Sequence, residues 1–154
     1  MAKVREAELR DVADIVDLGV LMHAESPRFA PMDFSYDKVA ALITKLIEVP
    51  VGCVLVVEER GKIIGMLGGV VSEQFFGSSL TASDFAWFVA KEHRIGSPAL
   101  KLLARFEQWA EQRGAFEVAI GIGTGVQAQR TKDLLKLWGY EDSGTAMTKR
   151  LKNV

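Results

Sequence analysis

From Phe85 to Gly114 the chain reads FAWFVAKEHRIGSPALKLLARFEQWAEQRG, and few folds accommodate that stretch. The apolar run Phe85 to Val89 has the composition of a strand. A loop of charged and small residues, Lys91 to Gly96, follows it. Ser97-Pro98 then reads as a helix start, a capping hydroxyl followed by proline at the first helical position. Apolar residues recur at Ala99, Leu102, Leu103, Phe106 and Ala110, the spacing of one helical face. Gly114 supplies the left-handed residue that commonly ends such a helix. A strand that passes into a helix through a small-residue loop gathers backbone N–H groups at the helix's positive end, a setting suited to a phosphate.

The remaining pattern supplies the layers around this junction. Val4 to Ala7 reads as a first strand. Asp11 is placed to cap a helix with Val12, Ile15, Val16, Gly19 and Met22 inward. His23 to Asp33 carries Pro27 and Pro31 and reads as a loop. Ser35 opens a second helix with Val39, Ile43, Leu46 and Ile47 inward, and Phe34 and Val39 are spaced as a hydrophobic staple. After Pro50 the period changes to two. Gly52 to Glu58 and Ile63 to Val71 read as a hairpin turning at Glu59 to Lys62, and Leu80 to Val89 as a third long strand after the connection Glu73 to Ser79. Phe116 to Ile120 reads as a strand, Val126 to Trp138 as a helix ended by Gly139, and Thr145 to Leu151 as a closing strand. The order β-α-α-β-β-β-α-β-α-β implies an α/β (α+β) fold, a mixed sheet with helices on both faces in three layers.

At 154 residues, the chain is expected to form a single domain, residues 1–154. A net charge of −1 gives no field to attract nucleic acid or an anionic membrane. The first residues lack the apolar core of a signal peptide, and no run approaches the ~20 apolar residues of a membrane span. The single cysteine, Cys53, allows no internal disulfide and reads as a small core residue. A cytoplasmic protein is expected. No His/Cys/Asp spacing suggests a metal.

The order of elements, together with four stretches, resembles the GNAT superfamily of N-acetyltransferases. Val4 to Asp11 (VREAELRD) is similar to the family's opening strand and helix start. Phe88 to Arg94 (FVAKEHR) is similar to the segment preceding its cofactor loop, and Arg94 to Ala99 (RIGSPA) to the loop itself, written R/Q-x-x-G-x-G/A. Leu135 to Tyr140 (LKLWGY) resembles the family's Y-x-x-x-G-F. The compact HRIGSPALKLL is also similar to small members found in bacteriophage genomes.

The resemblance implies an acyl-CoA-dependent enzyme that moves an acetyl group from acetyl-CoA to a primary amine. The diphosphate would rest on backbone N–H groups of Arg94, Ile95, Gly96, Ser97 and Ala99, with Arg94 adding charge. The pantetheine arm would pair with the strand edge at Trp87, Phe88 and Val89. Two departures stand out: Ser97 replaces a glycine, with Pro98 lacking an N–H, and Leu135 falls where many members carry a general-acid tyrosine. The same fold retained as a CoA-binding or protein-interaction module without catalysis is the alternative. Homodimers are common among proteins of this kind, so the resemblance leaves a homodimer open.

Acetyl transfer needs a base for the amine, a donor for the thioester carbonyl and a proton for the departing thiolate. Asp84, which interrupts an apolar strand beside the cofactor segment, is the favoured base, with a solvated strand residue as the plain alternative. Glu73 is a second candidate and also reads as a loop-surface charge. Tyr36, at the start of the second helix, is the candidate acid, since Tyr140 sits where the family places a packing aromatic. His93 reads as exposed. The acceptor pocket is expected from the segments His23 to Tyr36 and Glu73 to Asp84, whose mixed charges leave a small amine, a peptide N-terminus and a protein lysine all open. GIGTG at Gly121 to Gly125 invites a dinucleotide reading, but Val126 at the sixth position and Glu141 ahead of a strand argue against it.

Overall fold

Apolar residues that alternate between two cores on one strand require cover on both sheet faces, and the chain provides it. The computed structural model describes residues 2–94, 96–123 and 127–152. Two compact units emerge, Met1–Met22 with Phe34–Gly121, and His23–Asp33 with Ile122–Val154. The elements are β1 (Lys3–Glu6), α1 (Val12–Glu25), α2 (Tyr36–Glu48), β2 (Gly52–Glu59), β3 (Lys62–Glu73), β4 (Leu80–Val89), α3 (Pro98–Gln112), β5 (Glu117–Ala119) and α4 (Ala128–Leu137).

In the first unit, five strands form one sheet in the order β1-β2-β3-β4-β5. The first three pairings are antiparallel and β4–β5 is parallel, so the sheet is mixed. Cys53, Leu55 and Val57 of β2 pack with Leu102, Phe106 and Trp109 of α3, while Val54 and Val56 pack with Ile15, Leu18, Ile43 and Leu46 of α1 and α2. Burial on both faces explains why β2 reads as a continuous apolar run instead of an alternating one. Each fully buried Leu or Phe on α3 contributes about 1.5–3 kcal/mol from its removal from water. The β2–β3 turn needs left-handed backbone at both central residues, and Arg60 and Gly61 have φ of 52° and 77°.

Two bulges break the alternation. Val57 faces Gly65 and Glu58 faces Ile63, leaving Ile64 extra, and Gly68 faces Ala86 while Gly69 faces Asp84, leaving Phe85 extra. The second bulge is the one that shapes the candidate site.

Three expectations are corrected. Asp11 does not cap α1: it lies in a 3₁₀ turn, Leu9–Asp11, and accepts the Glu8 N–H at 2.8 Å. Ser97 occupies the N-cap position of α3, but its side chain makes no capping hydrogen bond. Thr145 to Leu151 forms no strand, because a strand requires a ladder partner and no pairing reaches it among the described residues; Met147 and Leu151 are exposed there. Gly114 and Gly139 do end α3 and α4 with positive φ.

In the second unit, α4 ends with the Tyr140 N–H on the Leu135 carbonyl at 3.0 Å, and Lys132 pairs with Asp142 at 3.1 Å. The Arg28 guanidinium donates to the Gly123 carbonyl at 3.4 Å, and Arg150 donates to the Arg28 carbonyl at 2.9 Å.

Asp11 carries a pH prediction. It is 4% exposed, and Arg5 grips it with two hydrogen bonds of 2.8 and 3.0 Å while also reaching Glu58 at 3.2 Å. The Arg5 hydrogen bond, working against desolvation, holds the Asp11 carboxyl below its ordinary value. A carboxyl lowered by folding adds stability above its unfolded value, about 4, and that stability drains as pH falls through the lowered folded value. Urea titrations should therefore show a shallower acid loss in Asp11→Asn than in the wild type. Identical slopes below about pH 4 would contradict this.

Candidate functional site

The parallel ladder between β4 and β5 is short. Only Thr81, Ala82 and Ser83 pair, with Glu117, Val118 and Ala119, although β4 continues to Val89. Beyond Ser83 comes the Phe85 bulge, and β4 stays paired to β3 alone. The Ala90 N–H donates to the Ile64 carbonyl at 2.8 Å. Backbone groups alternate along an antiparallel strand, so Phe88 and Ala86 also address β3. Trp87 and Val89 therefore turn their N–H and C=O groups toward the side that β5 has left.

The junction to α3 closes one end of this edge. A 3₁₀ turn, Lys91–His93, leads to Gly96, whose φ of 103° is costly for any side chain. Among the described residues, the first N–H bonded in the helical pattern is that of Lys101, on the Ser97 carbonyl at 3.0 Å. Ala99 and Leu100 precede it in the first turn, whose amides have no partner inside a helix, and Pro98 contributes none. The Ser97 hydroxyl makes no capping hydrogen bond, so capping does not occupy it. Ile95 lies outside the described residues, as do Thr124, Gly125 and Val126 of the glycine-rich reading.

Arg94 braces the junction. Its Nε donates to the Val89 carbonyl at 2.8 Å, and its guanidinium lies 5.1 Å from the Phe88 ring centroid. The carbonyl of Val89 is thus engaged by the protein, and among the described residues the Val89 N–H and both groups of Trp87 remain for a ligand on this edge. The Trp87 indole N–H donates to the Ala99 carbonyl at 3.1 Å and ties β4 to the first turn of α3. His93 is half-buried instead of exposed, and its Nδ1 sits 3.3 Å from Glu59.

Asp84 stands where the strands part. Its Oδ1 accepts the Gly121 N–H at 2.9 Å. Burial pushes its carboxyl above the ordinary carboxylate range, partly offset by that hydrogen bond. Glu73 is exposed at the far end of β3, opposite Leu80. It lies four residue steps along β3 from Gly69, the partner of Asp84, or about 13 Å at strand rise. The Tyr36 hydroxyl donates to the Ala13 carbonyl at 3.4 Å, and desolvation followed by Asp17 raises its pKa. No hydrogen bond among the described residues joins Tyr36 to β4. Cys53 is buried, with its thiol pushed up to about 12 by desolvation, and lines a 320 Å³ cavity with Glu6, Glu48, Trp109 and Arg113, to which β4 contributes nothing. Among the described residues no group of three or more His, Cys, Asp or Glu could hold a metal, and no helix is long and apolar enough to cross a membrane.

Neither Gly121 as the partner of Asp84 nor the bulge at Phe85 is expected from strand composition alone. The adjacent Gly68-Gly69 was the available signal, since glycine inside a strand often marks a bulge or a close approach.

Residues 20–140 match the acetyltransferase (GNAT) family. The chain belongs to that family. No curated protein sequence matches it. Among solved structures, the fold of this GNAT chain is similar to that of the aminoglycoside acetyltransferase AAC(6')-Iy bound to the bisubstrate analogue CoA-S-monomethyl-acetylneamine, with TM-score 0.80, 15% identity and 99% of both chains covered. It is also similar to glucosamine-6-phosphate N-acetyltransferase from Arabidopsis thaliana, with TM-score 0.74, 14% identity and 99% of both chains covered. A third likeness is to the aminoglycoside acetyltransferase meta-AAC0020 from an uncultured soil metagenomic sample, in complex with sisomicin, with TM-score 0.73, 20% identity and coverage of 98% and 97%.

Proposed function

We propose that this GNAT protein transfers an acetyl group from acetyl-CoA to a primary amine of a small molecule. The observation that carries the reading is the edge of β4 left by β5 at Trp87 and Val89, running directly into the amide-bearing first turn of α3. Support for a small-molecule acceptor comes from the solved relatives, which include aminoglycoside and glucosamine-6-phosphate acetyltransferases.

Acetyl-CoA, when bound, supplies an activated acyl group on sulfur. Trp87 and Val89 offer N–H groups to carbonyls lying along the edge, one of them polarising the reacting carbonyl. Ala99 and Leu100 offer first-turn amides to a diphosphate, joined by Gly96 and Ser97 and by the charge of Arg94. Asp84 Oδ2, with Oδ1 held by Gly121, takes the proton of the attacking amine. Nitrogen then bonds to the acyl carbon, the carbon–sulfur bond breaks, and the thiolate leaves to be protonated. Tyr36 serves as the acid only if its hydroxyl leaves the Ala13 carbonyl.

Arg94→Ala should weaken acetyl-CoA binding by about 1–3 kcal/mol, through loss of a charge-assisted contact and of the brace on Val89. Unchanged affinity in calorimetry would count against the cradle. Leu135, 5% exposed, places a buried side chain without a hydroxyl where many members carry the acid, and this favours the second reading, a CoA-binding or interaction module without turnover. Acetyl-CoA should raise the melting temperature under both readings. Only the first predicts CoA release with an acceptor from a panel of aminoglycosides and amino sugars, and silence across that panel, with peptide and polyamine amines included, would favour the second.

A further inference from the structure

If acetyl-CoA enters between β4 and β5, something must fix the separation of the two strands before it arrives. The backbone ladder ends at Ser83 and Ala119. Beyond it, among the described residues, the two segments are joined by a side chain, Asp84 Oδ1 accepting the Gly121 N–H at 2.9 Å. We propose that Asp84 is a positioning residue whose Oδ1 straps the Gly121 amide and thereby sets the width of the gap that receives the acyl-CoA arm. This inference rests on the acetyl-CoA reading above.

Three features support the strap. Paired strands lie about 4.8 Å apart when backbone bonds to backbone. A carboxylate in place of the backbone carbonyl inserts the length of a side chain, so the chain at Gly121 is held off instead of zipped on. The strap also sits at the residue before the Phe85 bulge, where β4 changes its alternation and the gap begins. Finally, the Asp84 carboxylate accepts the Gly121 N–H at 2.9 Å, and a hydrogen bond accepted by a charged group is stronger than one between neutral groups. With the strap cut, β5 is free to extend its ladder into the gap or to swing clear of it, and both outcomes spoil the fit.

Substitution separates the roles of the two Asp84 oxygens. Asparagine keeps an acceptor for Gly121 and removes the basic oxygen, whereas alanine removes both. Gly121→Pro cuts the strap from the other side by deleting the N–H. Gly121→Ala keeps it, since a Cβ there would lie 3.9 Å from Asp84 Oδ1, an ordinary contact. Calorimetric titration with CoA, on proteins whose melting curves show folding, should give Asp84→Asn and Gly121→Ala the wild-type affinity. Asp84→Ala and Gly121→Pro should bind at least tenfold more weakly, and either variant decides the matter alone. Wild-type affinity in Asp84→Ala or Gly121→Pro would overturn the strap while leaving the acetyl-CoA reading intact. A wild-type protein that does not bind CoA would overturn both.

Discussion

Gly69→Ala is expected to destabilise the protein by about 3 kcal/mol or more, beyond the usual range for a surface change. A Cβ at this position would lie 2.5 Å from the Ser83 carbonyl oxygen and 2.7 Å from two ring carbons of Phe106. Neither neighbour can retreat cheaply. The carbonyl belongs to the backbone of β4, and Phe106 is fully buried in the core between α3 and the sheet. Interiors are close-packed, so the added methyl must displace α3 or prise β3 from β4. Urea unfolding should show a lower midpoint with little change in slope. Adding Phe106→Leu should recover only part of the loss, because it relieves the ring and not the carbonyl, and the cycle measures that coupling. Stability within about 1 kcal/mol of the wild type would show that β3 and β4 do not approach this closely.

Asp84→Asn carries the largest expected effect on turnover. Removing a positioned base typically lowers the rate by about 10²–10⁴-fold. The variant should keep its affinity for CoA, so the loss should appear in kcat, which marks an interaction made in the transition state. The pH profile adds a second signature. A base must be unprotonated to act, and burial raises the Asp84 carboxyl above the ordinary range. Wild-type activity should therefore fall as pH drops through a value above about 4, and the variant should lose that limb. A CoA-release assay with an identified acceptor checks both. Full activity in Asp84→Asn would remove Asp84 from the chemistry and leave it only the strap.

Much of the fold was legible because single residues carried strong local signals. Ser35 accepts the Lys38 N–H at 3.2 Å at the start of α2, as its place before an apolar-periodic run implied. Arg60-Gly61 makes the predicted turn, and Gly114 and Gly139 take the left-handed backbone that their positions suggested. Reading failed where the outcome depended on a distant partner. Thr145 to Leu151 has strand-like composition, yet strand propensity is expressed only against a neighbouring edge. Asp11 has the composition of a cap, but Arg5 and the Glu8 N–H hold it in a buried pair ahead of α1.

The candidate site divides in the same way. The strand edge, Gly96 and the start of α3 were readable from the motif. The commitment of Arg94 to Val89, of Tyr36 to Ala13 and of Asp84 to Gly121 are tertiary contacts that spacing alone does not reveal. The bulge at Phe85 determines which backbone groups face the gap, and a single inserted residue leaves little trace in an apolar run.

The most direct measurement is amide-resolved hydrogen exchange with and without acetyl-CoA. The N–H groups of Trp87 and Val89, turned away from β3, and those of Ala99 and Leu100 in the first turn of α3 should slow on binding. Those of Phe88 and Ala90, already bonded to β3, should not change. Slowing confined to other segments, or a ligand that protects Phe88 and Ala90 while leaving Trp87 and Val89 as they were, would contradict the assignment of this edge as the acyl-CoA site.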